Sequence, residues 1–256
     1  MVHASFLRTG VSEGPTFSRL LTVAADGSIS LTDVDTCECR QLFPGVSNSL
    51  DGSTHQRDPV VQAAVSEPAV GAGDVLVALA RASSLQTISV TNLGSKCELR
   101  STFKPTPRGT YVTAPGMCAW SETRRGACYY ASRATGGRVV RFDAMKGEVI
   151  DVVDCDAGAG AGGPWCVAVT ERAGRDALAV GTARGVEFLS VSDGDGDVSN
   201  RGSGGGVVIK KEQSGTCAMA NGARHVAWTE DGDGAWVCSG TCAYLVADPF
   251  GQLERK

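Results

Sequence analysis

The chain has 256 residues, ample for a sizeable core, with 42% apolar and 20% charged residues. Its net charge of −4 and sequence pI near 5.4 are the opposite of a phosphate-tracking surface, which argues against nucleic-acid binding driven by charge. No apolar stretch approaches the roughly 20 residues of a transmembrane helix, and no window carries the 3.6-residue apolar period of a long helix.

The first residues, Met1–Arg8, lack the basic and apolar regions of a secretory signal, so the expected location is the cytosol or nucleus. Ala4-Ser5-Phe6 is a short apolar strand. Leu20–Val23 and Ile29–Asp33 flank Asp26-Gly27 and predict a hairpin with a two-residue turn, Gly27 supplying the positive φ. Cys37–Phe43 then alternates as a half-buried strand should. Residues 44–58 are Gly-, Ser- and Pro-rich and read as a loop, and Val60–Val65 is a further candidate strand. Val75–Ala80, Thr87–Asn92 and Cys97–Phe103 repeat the hairpin and its alternating follower. Met117–Glu122, Cys128–Ser132, Val139–Asp143 and Gly147–Val153 form the next series, with a turn at Gly136-Gly137. After the Ala-Gly-rich stretch 156–164 come Trp165–Glu171, Ala177–Gly181 and Val186–Ser190, turning at Arg184-Gly185. Residues 193–206 read as a low-complexity insertion. The last series is His225–Glu230, Trp236–Cys238 and Cys242–Asp248, turning at Ser239-Gly240 and leaving only Gly251–Lys256 as an outer strand.

The second strand of each hairpin ends in a related pair: Thr32-Asp33, Thr91-Asn92, Phe142-Asp143, Leu189-Ser190 and Ala247-Asp248. Their spacing of roughly 47 to 59 residues is the range of propeller and solenoid repeats. Four antiparallel strands per unit predict an all-β β-propeller. An all-β sandwich with similar strand spacing is the competing architecture.

These residues resemble the WD40 family. The family pattern is a buried strand, an Asp-Gly-type turn, a strand ending in Trp-Asp, then an outer strand. It is best met at 20–43, where Thr32 stands in the place of Trp. The resemblance implies one propeller domain over 1–256, of five to six blades, with units at about 1–44, 59–104, 116–154, 164–212 and 223–256. Such rings usually close by letting the N-terminal segment complete the last blade. Here Val2–Arg8 is needed in the first unit, which leaves five blades imperfectly closed, a sixth within 45–74, or an open edge able to accept a strand from a partner.

Residues that could carry chemistry are few. Ten cysteines, at 37, 39, 97, 118, 128, 155, 166, 217, 238 and 242, sit mostly in apolar strand runs and read as buried free thiols. Their spacing does not match a zinc site. Asp193, Asp195 and Asp197 open like a calcium loop, but Val198 and Gly204 stand where that loop needs its Gly and its bidentate acid. Gly158, Gly160 and Gly163 match G-x-G-x-x-G spacing without the following helix that the motif requires. The basic doublets Arg124-Arg125 and Lys210-Lys211 read as solvated charges, the first in a loop and the second at a strand end.

No catalytic residue, metal or cofactor is expected. The reading is a non-catalytic scaffold or adaptor subunit of a multiprotein complex, contacting other proteins through propeller faces or an open blade edge. It predicts no nucleic acid, membrane insertion or small-molecule ligand. The alternative is a propeller hydrolase or lyase using His225 with Glu122, Glu171 and Glu230 in an axial channel.

Overall fold

The computed structural model describes residues 1–9, 16–45, 59–66, 75–81, 84–91, 96–104, 117–131, 138–155, 164–191, 207–208 and 213–251. Among them every regular element is a β-strand, and the strands form five sheets that follow one another along the chain. The first contains β1 (His3–Thr9), β2 (Thr16–Val23), β3 (Ile29–Asp33) and β4 (Cys39–Phe43), in that order. The second contains β5 (Gln62–Val65), β6 (Val75–Ala80), β7 (Leu85–Thr91) and β8 (Lys96–Phe103). The third contains β9 (Met117–Trp120), β10 (Ala127–Ala131), β11 (Arg138–Asp143) and β12 (Glu148–Asp154).

The fourth sheet contains β13 (Cys166–Arg172), β14 (Arg175–Thr182) and β15 (Gly185–Val191). Between this hairpin and its outer strand, β16 (Val207–Val208) leaves the sheet and pairs in parallel with β12 of the third. The outer strand itself is β17 (Gln213–Ala218), beyond the expected unit limit at residue 212. The fifth sheet contains β18 (His225–Trp228), β19 (Gly234–Ser239) and β20 (Cys242–Ala247), three strands among the described residues. All other neighbouring strands are antiparallel, as hairpin-linked strands must be.

Two expectations are corrected. Val60–Val65 does not begin a further unit, because β5 is the first strand of the second sheet and pairs with β6. The Asp26-Gly27 turn is a three-residue loop rather than two: Ala24 N donates to Ser28 O at 3.0 Å, and Gly27 has φ +88°. A left-handed glycine at the end of such a loop absorbs one extra residue as a bulge and keeps the flanking strands in register. The Asp26 carboxylate accepts from Ser28 N at 2.8 Å and closes the loop. Of the loops expected at 44–58, 156–164 and 193–206, all but residues 44, 45 and 164 lie outside the described residues, as does the turn expected at Gly136-Gly137.

The recurring strand-end aspartate has a local cause. Asp33 Oδ1 accepts from the backbone N–H groups of Asp35 and Thr36, and Asp143 Oδ1 accepts likewise from Met145 and Lys146. Each carboxylate thereby satisfies the turn that starts the outer strand. The turns match further on, where Cys37 (φ +58°) occupies the left-handed position held in the third sheet by Gly147 (φ +75°).

The sheets stack face to face through four apolar layers. Leu21, Val23 and Ile29 of the first meet Val77, Leu79 and Ile88 of the second. Ala78, Ala80 and Leu85, on the second sheet's other face, meet Cys128, Tyr130 and Phe142 of the third. Tyr129, Ala131 and Val139 then meet Leu178, Val180 and Leu189 of the fourth. Ala177, Ala179 and Phe188 meet Ala235, Val237 and Trp228 of the fifth.

The opening strands β1, β5, β9, β13 and β18 neighbour one another in that order, and no comparable contact joins β18 to β1 among the described residues. Two inner-strand tryptophans latch the series: Trp120 Nε1 donates to Ala64 O at 2.9 Å, and Trp228 Nε1 to Ala168 O at 3.3 Å. Gly181 permits a close approach of the β17–β18 connection to the fourth sheet, since a Cβ there would lie 2.5 Å from Ala223 O.

Arg172 pairs with Arg175 across a two-residue turn in which Ala173 (φ +52°) and Gly174 (φ +73°) are both left-handed. This is a type I′ hairpin, whose first position favours Asn, and a left-handed Ala costs about 1 kcal/mol. Ala173 is exposed, so Ala173→Asn meets no packing penalty and is expected to stabilise the protein by about 0.5–1 kcal/mol. Urea denaturation of the two proteins measures it, and a destabilised variant would contradict the turn geometry.

Candidate interaction surface

A side chain accepting four hydrogen bonds is buried between the third and fourth sheets. Asp176, at the start of β14, has no exposed surface. Its Oδ2 accepts from Ser121 Oγ and, at 2.8 Å, from Tyr129 OH, while Oδ1 accepts from Glu122 N and Thr123 N at 3.1 Å each. One carboxylate on the fourth sheet thus organises the β9–β10 turn of the third. Burial, reinforced by the Asp176 carboxylate, pushes the Tyr129 phenol above its usual value, so it remains a protonated donor. Beside it, Arg141 and Asp151 form a buried cross-strand ion pair, with Nε to Oδ2 at 2.6 Å. A buried pair so well hydrogen-bonded specifies register more than it adds net stability.

The acids expected near an axial channel have other roles or positions. Glu122 reaches across to the fourth sheet, where Oε2 accepts from Glu171 N at 2.7 Å. Glu171 and Glu230 are exposed, and His225 and Glu230 lie at opposite ends of β18. The structure therefore brings Glu122 and Glu171 together through a backbone bond and leaves His225 apart from Glu230. Asp193, Asp195 and Asp197, with Lys210-Lys211 and Gly158–Gly163, lie outside the described residues. Arg124 and Arg125 fall in the β9–β10 turn.

All ten cysteines are free thiols, but their burial varies. Cys118, Cys128 and Cys166 are buried, whereas Cys37, Cys39 and Cys242 are exposed, which corrects the expectation that the thiols are buried as a set. The exposed three sit where the chain turns or where an edge is uncovered, so no neighbouring sheet reaches them. Burial pushes the Cys166 thiol up to about 12 and Cys97 up to about 11, leaving both protonated and poorly nucleophilic. No group of three or more His, Cys, Asp and Glu side chains is placed to hold a metal among the described residues. No helix there is long and apolar enough to cross a membrane.

Exposed apolar side chains share a sheet face at the two ends of the stack, whereas Leu99 of β8 and Met145 of the β11–β12 turn are exposed singly on the central sheets. Sheets two to four are covered on both faces, and β6, β10 and most of β14 are buried along their whole length. Among the described residues, the first and fifth sheets meet a neighbouring sheet on one face only. On the open face of the fifth, the register aligns Ala227, Trp236 and Leu245 in one row and His225, Cys238 and Ala243 in the next. Trp236 is 48% and Leu245 52% exposed, against complete burial of Val237, the next residue of β19, on the opposite face. On the open face of the first sheet, Phe6, Leu20 and Thr32 form one row and Ala4, Thr22 and Ser30 the next, with Phe6 54% exposed. Large exposed side chains gathered on a continuous sheet face mark interaction sites.

No protein-family model matches this chain, and no curated protein matches it.

The Asp176 hub should dominate the cohesion of the third and fourth sheets. Asp176→Asn replaces one acceptor oxygen by a donor among groups that donate, so it is expected to cost about 2–4 kcal/mol. Tyr129→Phe removes a single donor and is expected to cost about 1–2 kcal/mol. Urea or thermal unfolding gives both values, and an Asp176→Asn protein no weaker than Tyr129→Phe would show that the four bonds do not act as a hub.

Proposed function

We propose that the five sheets are blades of a WD40-like β-propeller and that the chain is a non-catalytic scaffold or adaptor subunit of a multiprotein complex. The observation that carries this reading is the serial stacking of hairpin-built sheets, opening strand beside opening strand, ending in two uncovered faces that retain Phe6, Trp236 and Leu245. A stack whose interior faces are all consumed by neighbouring sheets has its ends and rim left for partners. Ten cysteines held outside disulfides suit a reducing compartment, in keeping with work in the cytosol or nucleus. The fold by itself names no complex, because one architecture hosts many functions.

Affinity capture of the full chain from its own cells, with quantitative mass spectrometry, tests the proposal. Stoichiometric partners that survive moderate salt are expected, and Phe6→Asp or Trp236→Asp should lose a subset of them while remaining folded. Recovery of the folded protein alone, or partners insensitive to both substitutions, would overturn the assignment of these faces.

A further inference from the structure

Among the described residues the fifth sheet, unlike the other four, ends at the second strand of its hairpin. Sheets one to four each close with a further strand outside their hairpin, whereas no described strand pairs with the outer side of β20, and the outer strand expected at Gly251–Lys256 lies, beyond Gly251, outside the described residues. The closing strands of the first three sheets carry charges, Arg40 in β4, Lys96, Glu98 and Arg100 in β8 and Glu148 in β12, whereas β17 of the fourth, Gln-Ser-Gly-Thr-Cys-Ala, carries none. β20 reads Cys-Ala-Tyr-Leu-Val-Ala, with no charge or proline, and its ladder with β19 runs without a bulge. Charges, prolines and bulges are the devices that keep a free edge from pairing, and β20 has none of them.

The register fixes which backbone groups face outward. Ser239 and Cys242 flank a two-residue turn and so form the hydrogen-bonded pair that closes the hairpin. Asp248 N donates to Asp233 O at 2.8 Å, which places the bonded pairs at the even-numbered residues of β20. The N–H and C=O groups of Ala243, Leu245 and Ala247 therefore point away from β19, along an edge where five of the six residues are exposed.

We propose that β20 is a homotypic interface, pairing antiparallel with β20 of a second copy of this chain about a two-fold axis at Leu245. A second copy fits this edge for reasons of charge and side-chain matching. An uncharged strand placed against itself sets no like charges opposite one another. With Leu245 opposite its counterpart, Ala243 meets Ala247, and Tyr244 meets Val246, an aromatic–β-branched pair of the kind that stabilises adjacent strands. The outward-facing residues Ala243, Leu245 and Ala247 then become the hydrogen-bonded pairs of the new ladder.

The symmetry also keeps like faces together. The rows Ala227–Trp236–Leu245 of the two copies join into one apolar strip across a six-stranded sheet, beginning at a side chain 52% exposed in the single chain. The contact is isologous and so closes at a dimer. It goes beyond the scaffold proposal, giving each particle two copies of the first-sheet face, and its test reads self-association without reference to any other protein.

Sedimentation velocity of the full chain over a hundredfold concentration range is the experiment. A reversible dimer is expected. Leu245→Lys should weaken it about tenfold or more by setting two ammonium groups opposite each other. Ala243→Pro should do the same while leaving the fold intact, because it removes only an outward N–H. Met145→Lys, at a 61% exposed methionine on another sheet, should leave the dimer unchanged.

Residue-resolved hydrogen exchange covers the case of a variant that fails to fold. In the wild-type chain the amides of Ala243, Leu245 and Ala247 should gain protection as concentration rises, while those of Tyr244 and Val246 stay protected throughout. A monomer at every concentration would overturn the proposal, as would a dimer indifferent to both edge substitutions. Outer amides protected independently of concentration would overturn it too, since the edge would then be filled by the chain itself.

Discussion

Every central sheet of this protein is apolar on both faces, and that single constraint organises the molecule. A hairpin such as β6–β7 or β14–β15 cannot hide two faces by itself, so it needs a neighbour on each side. Four apolar layers between five sheets are the result. Each layer is worth roughly 25 cal/mol per Å² of apolar surface removed from water. Stability is therefore shared between adjacent sheets along the chain, as in repeat proteins whose units touch only their neighbours. The same logic identifies the surface: only a terminal sheet can leave a face uncovered.

The two ends use that freedom differently. The open face of the first sheet carries Ala4, Thr22, Ser30 and Thr32, small or hydroxylated groups that tolerate water, with Phe6 and Leu20 as its larger apolar side chains. The open face of the fifth carries Trp236 and Leu245 beside an uncharged edge. It has the composition of an interior face with no neighbouring sheet over it among the described residues.

Polar groups within the layers give the stack its registration. Apolar side chains pack well in several offsets, whereas Asp176 satisfies four donors in only one. The Trp120 and Trp228 indoles, each bonded to a carbonyl on the preceding inner strand, impose the same discipline at two other junctions. The buried Arg141–Asp151 pair does so within the third sheet. The buried cysteines are packing residues beside these anchors, and burial holds the Cys128 and Cys166 thiols protonated.

The sequence alone determined the strands with strong local signals. The hairpins at Leu20–Asp33, Val75–Asn92 and Ala177–Ser190 were legible because β-branched residues, alternation and turn glycines act within a few residues of one another. The strand-end aspartates were visible as an echo, and their cause is equally local, two backbone amides of the next turn. β17, Gln-Ser-Gly-Thr-Cys-Ala, escaped notice because it has neither apolar alternation nor β-branched bulk, and it is a strand only because the edge of β15 accepts it. The same holds for Val207-Val208, recruited by β12 from another sheet's connection. Asp176 gave no signal, since its partners lie 47 to 55 residues away in sequence. Trp236 and Leu245 were recognisable as strand residues, but their exposure was not. A strand with two apolar faces reads identically whether its neighbour is present or missing, because period and composition describe the strand and only tertiary packing supplies what covers it.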